Sequence, residues 1–232
     1  MPPRGDPDVV RGSPIFAALP PRELAALAAA ARDTAYGARE YVFSEGEPAV
    51  AFCLVKRGHV KILRHARGGK DVVLELLGPG EAFGGVAVIE RRPYPASAQT
   101  TEPSVVTKIP QEVIVPLAER HPSIVREMAL MIGRRLRAAH ESVTSLATDP
   151  VEARLAATLL RLAAREGVRA GRRVTFPFAL TRQSLADMTG TTVETAIRVL
   201  GRWQRDGLVV EEDGHLVLAD VDALAARAGD GA

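Results

Sequence analysis

The sequence predicts an α+β fold in three parts. These are an all-β sandwich or barrel with an N-terminal helix over residues 1–118, a long helix expected to pair with a second copy over 119–147, and a winged helix-turn-helix over 148–232. Three observations carry this. Between residues 34 and 109, short apolar alternations are cut about every ten residues by Gly46, Gly58, Gly68, Gly69, Gly78, Gly80, Gly84 and Gly85, the texture of an all-β sandwich or barrel. A narrow apolar seam at near-heptad spacing then runs through residues 125–146. Finally, residues 180–208 read as two short helices broken at Gly190, followed by strand alternation on both sides of Asp213-Gly214, a hairpin signal.

In chain order, residues 1–14 are rich in Pro and Gly, lack periodicity and read as a loose tail. Pro20 and Pro21 open a Leu- and Ala-rich helix over residues 22–32. The best strands are 41–43, 52–55, 60–63, 72–77 and 105–109, and a short helix is expected over 111–118. His121-Pro122 breaks the chain before a long helix over residues 123–147. Its seam, Val125, Met128, Ile132, Leu136, Ala139, Val143 and Leu146, is spaced 3, 4, 4, 3, 4, 3, while Arg134, Arg135 and Arg137 crowd the other faces. So narrow a seam points to a two-fold homodimer with these residues at its interface; a helix packed on its own domain is the competing reading. Thr148-Asp149-Pro150 reads as a hinge, Asp149 capping and Pro150 occupying the first turn of a helix over 151–167. A strand pair within 169–178 and an Ala-rich helix over 221–227 complete the pattern.

Composition sets bounds. With 47% hydrophobic residues the chain can bury a core, and at 232 residues it holds one large or two modest domains. No run is long and apolar enough to cross a bilayer and no signal-peptide pattern opens the chain, so a cytoplasmic protein is expected. Cys53 is alone, which removes disulfides and cysteine-held iron–sulfur clusters. His59, His65, His121, His140 and His215 show no metal-ligand spacing, so no metal site is assigned. No catalytic residues are assigned either: there is no nucleophile with a base, no phosphate-binding GxxxxGK[ST] loop and no G-x-S-x-G elbow. The net charge of +2 does not itself suggest nucleic acid, but the basic residues are mostly Arg, the better bidentate partner of phosphate and guanine.

The chemistry sits in residues 180–208. Thr181 can cap the first helix and Thr191 or Thr192 the second. Ala196, Val199, Leu200 and Trp203 form one apolar face, and Glu194, Arg198, Gly201 and Arg205 lie opposite. Glu194 and Arg198 stand one turn apart, where Arg can donate twice to guanine and Glu can accept from cytosine. A capping box between Thr191 and Glu194 is the plainer alternative. Thr181, Arg182 and Gln183 open the first helix and are expected to hold phosphates, with Thr192, Val193 and Thr195 beside the base-reading pair.

The pieces Leu180-Thr181-Arg182-Gln183 through Leu185-Ala186, and Gly190, Thr192, Glu194-Thr195, Arg198 and Leu200, resemble the helix-turn-helix of the cyclic-AMP receptor / fumarate-and-nitrate regulator superfamily. The resemblance covers nearly the whole chain. Residues 42–47, 54–61 and 80–84 are similar to that superfamily's cyclic-nucleotide-binding β-roll (jelly roll), which implies that residues 1–118 are the sensor domain. It implies a homodimeric regulator of transcription that binds double-stranded DNA, with RNA polymerase as a further partner. In the cyclic-AMP branch an Arg stands at the position of Val193 and reads a guanine. In the fumarate-and-nitrate branch a Val stands there and the half-site has thymine. A TTGA-like half-site is therefore expected, Val193 packing on the thymine methyl. Ile197 replaces a small polar residue of that branch, so the outer thymine is expected to be read less strictly here.

At the effector pocket the sequence departs from the cyclic-AMP branch. The Glu that follows F-x-G there is Gly85 here, after Gly84, and the Arg-Ser-Ala piece is Ala96-Ser97-Ala98. Ala139 and His140 replace the base-contacting pair of the long helix. Losing a carboxylate and a guanidinium argues against cyclic AMP, since a buried phosphodiester needs a charged partner. The tentative effector set is Gly84, Gly85, Ser97, Ala98 and His140. Residues 95–99 look more like the fumarate-and-nitrate and nitric-oxide-responsive branches, which leaves haem or another small-molecule, redox or gas signal open. Two other readings stand beside this one: a winged helix that contacts protein rather than DNA, and a constitutive regulator whose pocket is filled by its own side chains.

Overall fold

The computed structural model describes residues 5–65, 71–212 and 214–229, so the Gly68-Gly69 turn and Asp213 lie outside the described residues. The chain divides into two compact units, residues 1–64 with 74–137 and residues 65–73 with 138–232.

The described part of the N-terminus is not a loose tail. Asp6 accepts from the Asp8 amide at 2.9 Å and caps helix α1 (Pro7–Gly12), with Pro7 pre-setting the first turn. Val10, and then Ile15 and Phe16 on a 3-10 turn (Pro14–Phe16), are buried. A helix of 6 residues is too short to show periodicity in sequence. Helix α2 (Pro21–Ala30) stops before the expected end, because Arg32 already belongs to a strand.

Eight strands build the roll, which belongs to the first unit except for His65 and residues 71–73: β1 (Arg32–Tyr36), β2 (Tyr41–Phe43), β3 (Ala51–Arg57), β4 (Val60–His65), β5 (Asp71–Leu77), β6 (Ala82–Phe83), β7 (Ser97–Thr100) and β8 (Ser104–Pro110), with helix α3 (Gly85–Glu90) after β6. They form two sheets, ordered β1-β8-β3-β6 and β2-β7-β4-β5. Phe16, Phe43, Phe52, Leu54, Phe83 and Ile109 fill the core. The polar strands β1 and β7 escaped the sequence reading because much of their cohesion is hydrogen bonding. Buried Asp33 on β1 accepts from Thr107 Oγ1 and from Lys56 Nζ, each at 2.7 Å, and Lys56 also reaches Asp6 at 3.1 Å.

Helix α4 (Gln111–Arg120) precedes the 27-residue helix α5 (Pro122–Thr148). One correction concerns its seam. Met128 is 5% exposed and packs with Ile124 into the first unit's core, whereas Val125, Ile132, Leu136, Val143 and Leu146 are 40–65% exposed. Ala129, also exposed, takes the place given to Met128. The outward stripe 125, 129, 132, 136, 139, 143, 146 then steps 4, 3, 4, 3, 4, 3, a regular heptad.

In the second unit follow α6 (Val151–Glu166), β9 (Val168–Ala170), β10 (Arg173–Thr175), α7 (Arg182–Thr189), α8 (Val193–Arg205), β11 (Val209–Glu212), β12 (His215–Leu218) and α9 (Val221–Gly229), with the sheet ordered β11-β12-β10-β9. Asp149 does not cap α6. Its carboxylate instead accepts from Ser145 Oγ and Thr148 Oγ1 at the end of α5, bonds that hold it below the usual carboxylate range, and Pro150 stands at the cap position.

Candidate nucleic-acid interface

The helix-turn-helix is assembled from two side-chain caps and one left-handed turn. Thr181 Oγ1 accepts from the Ser184 amide at 3.0 Å and starts α7. Gly190 ends it with φ +62°. A Cβ there would stand 2.6 Å from Leu146 Cδ2, so both conformation and space call for glycine. Thr192 Oγ1 accepts from the Thr195 amide and starts α8. The alternative of a Thr191–Glu194 capping box therefore fails by one residue: the cap is Thr192, and Thr195, not Glu194, occupies the third helical position.

Ala196, Val199, Leu200 and Trp203 are buried, as their spacing requires. This leaves Glu194 and Arg198 exposed together on the outer face, with Val193 at the first helical position. Arg198, Val199, Arg202 and Arg205 line a shallow groove of about 270 Å³. Arg202 escaped the sequence reading. It pairs with Glu152 at the start of α6, and the same carboxylate accepts from Trp203 Nε1 at 2.8 Å. The spacing 198, 202, 205, two steps of helical length between arginines, was the available signal.

The three residues opening α7 have internal partners. Thr181 is the cap, Gln183 Nε2 donates to Asp187 at 2.7 Å, and Arg182 pairs with Glu211 of β11. The positive φ of Gly214, +78°, suits the hairpin between β11 and β12.

Of the tentative effector residues, Gly84, Gly85, Ser97 and Ala98 lie in the first unit and offer no charged side chain. Gly84 has φ +73°, and a Cβ on it would meet Tyr94 at 3.0 Å. A Cβ on Gly85 would lie 2.6 Å from the Phe52 ring, so a longer side chain there would have to displace core atoms. Ser97 is buried, and its Oγ accepts from the Glu45 amide at 2.9 Å. Ala98 is fully buried. His140 is exposed on α5, in the other unit. Tyr94 stacks on Phe43 with ring centroids 3.6 Å apart, and its hydroxyl donates to Ala51 O at 2.8 Å. Gly85 and Ala96, where the resemblance leads one to expect a carboxylate and a guanidinium, carry no charge.

Residues 34–121 match the cyclic nucleotide-binding domain and residues 153–227 the Crp-like helix-turn-helix domain. The chain is 30% identical over 200 residues to the cyclic AMP receptor protein of Thermus thermophilus, an alignment covering 86% of this chain and 89% of that one. The chain belongs to the cyclic-AMP receptor / fumarate-and-nitrate regulator family. To the fumarate and nitrate reduction regulatory protein of Salmonella typhi it is 27% identical, over 81% of this chain and 75% of that one. The fold is shared with FixK2 of Bradyrhizobium japonicum at TM-score 0.74 and 22% identity, covering 84% and 96% of the two chains. As a member of this family it is a transcription regulator with a helix-turn-helix DNA-binding domain, and its domains and relatives are those of regulators, not enzymes. A single cysteine does not suit a cysteine-held iron–sulfur cluster. Among the described residues no helix is long and apolar enough to cross a membrane.

Proposed function

We propose that the protein is a homodimer that reads a DNA palindrome with TTGA-like half-sites in the cytoplasm and passes a small-molecule, redox or gas signal from its roll to that DNA through α5. The observation that carries the DNA reading is the pair Glu194 and Arg198, exposed one turn apart on a capped helix whose first residue is Val193. Arg198 donates to guanine, Glu194 accepts from the paired cytosine, and Val193 packs on a thymine methyl. The regular, exposed heptad stripe of α5 supports the homodimer, which presents two such helices to the two half-sites. RNA polymerase is the further partner that a regulator of this family implies.

The mechanism is a population shift, in which an effector that favours one arrangement of the dimer biases the spacing of its two recognition helices. The effector is not cyclic AMP in the familiar mode, since Gly85 and Ala96 remove both charged partners. One specific observation favours a second reading, a ligand-independent regulator. The positions that would face a nucleotide are packed by the chain's own groups, Gly85 against Phe52 and Ser97 on the Glu45 amide.

Selection from random duplexes tests the DNA reading: recovery of TTGA palindromes is expected, and GTGA half-sites or no palindrome would overturn it. A salt series separates DNA from protein contact, because phosphate contacts give a steep log–log slope. Calorimetric titration with cyclic AMP is expected to show no micromolar binding, and the absorption spectrum of the purified protein answers for haem.

A further inference from the structure

Arg182, the first residue of α7, and Glu211, on β11, are 29 residues apart in sequence and form an ion pair. The pair closes one side of a cleft of about 120 Å³ that Ile197, Leu200, Gln204 and Leu216 also line. Successive side chains on a strand point to opposite faces. Accordingly Glu212 turns the other way, where it pairs with Arg173 of β10. Both carboxylates of the wing strand are thus turned back onto arginines of their own unit. This is an unusual charge for an element beside a polyanion, since carboxylates near the phosphates are repelled and each arginine they hold is withheld from the backbone.

We propose that Glu211 sets the affinity of the DNA interface by competing with backbone phosphates for Arg182. In the free protein the carboxylate holds the guanidinium, and a phosphate gains Arg182 only by displacing it. The inference rests on the reading of Arg182 as a phosphate contact. Its consequence is a cost shared by every duplex, whatever its sequence. Weak, sequence-independent complexes then fall away, and duplexes that add the base contacts of Glu194 and Arg198 remain. Both side chains of the pair are partly exposed, at 33% and 41%, so the exchange is open to a ligand arriving from solvent.

The test is Glu211→Gln, which keeps shape and removes charge, with Glu211→Ala as a second variant. Full-length protein is titrated with a mixed-sequence duplex and with a TTGA-palindrome duplex over a salt series. Glu211→Gln is expected to tighten both by about two- to fivefold, the range an exposed ion pair supplies. It is also expected to steepen the log–log salt slope, by up to about one, since no displaced carboxylate is left to take up a cation while the phosphate releases its own. In an Arg182→Ala background the substitution should change neither quantity. Equal tightening in that background would overturn the proposal, because the carboxylate would then act by general repulsion. Unchanged affinity and slope in the parent background would overturn it as well. Arg182→Ala alone tests the underlying reading. If it leaves both duplexes unaffected, the phosphate contact falls; if it weakens both while the Glu211 variants are silent, only the competition falls.

Discussion

Gly85 packs tightly against the Phe52 ring: a Cβ at this position would stand 2.6 Å from two ring carbons and 3.1 Å from Met128 Cε. Gly85→Ala should therefore lower the stability of the roll by about 1–3 kcal/mol, the usual cost of overpacking. Phe52→Leu in the same background should recover part of it. Scanning calorimetry decides, and an unchanged midpoint for Gly85→Ala would show that α3 shifts without strain. Gly85→Glu should not create cyclic-AMP binding, because the carboxylate has no room to form and Ala96 still lacks a guanidinium.

Glu152 holds the recognition helix from behind. It accepts from Trp203 Nε1 and pairs with Arg202, and Arg227 reaches it at 3.6 Å. Glu152→Ala leaves the N–H of a fully buried indole without its partner, which should cost about 1–3 kcal/mol in chemical denaturation of the winged unit. Glu152→Gln keeps an acceptor for the indole and should cost less. Equal losses would place the whole effect in the exposed ion pairs.

Much of this was legible from residue order, and the exceptions have physical causes. The buried face of α8 followed from period, and the turn from Gly190, because both are local. Met128 misled because α5 has two apolar faces, one turned to its own roll and one outward, and a sulfur side chain outscored the small Ala129 that lies on the outward stripe. Asp149 looked like a cap, yet two hydroxyls, on Ser145 one turn back and on the adjacent Thr148, hold it first. The pairs Arg182–Glu211 and Arg202–Glu152 join residues 29 and 50 apart, so no window of sequence contains them.

The two faces of α5 should separate under mutation. Leu136→Arg, on the exposed stripe, should leave the fold intact and give monomers by light scattering, since like charges would face each other across the proposed two-fold seam. Met128→Arg should instead lower the melting temperature of the roll by burying a charge in its core. Monomers of unchanged stability from Met128→Arg would reverse this assignment.

At the DNA surface, Arg198→Ala should cost about 1–3 kcal/mol and relax the choice at the guanine. Val193→Arg should move preference from TTGA toward GTGA. Competition between the two palindromes reads both effects, and continued preference of Val193→Arg for TTGA would remove Val193 from the specificity argument.

Cys53 is buried, and desolvation pushes its thiol up to about 12. With so little thiolate below that value, native protein should resist a thiol reagent at pH 8 and react fully once unfolded. Prompt stoichiometric labelling of the folded protein would show that β3 opens and would return Cys53 to the candidates for a redox signal.

Trp203 is the chain's one tryptophan, and it lies fully buried on the back of the recognition helix. The protein thus carries its own fluorophore, opposite the face proposed to read bases and with its indole N–H bonded to a carboxylate. Its emission can follow the seating of α8 on a duplex without an attached dye. Any effector that alters that emission in the absence of DNA reports, from a single residue, that its signal has reached the helix.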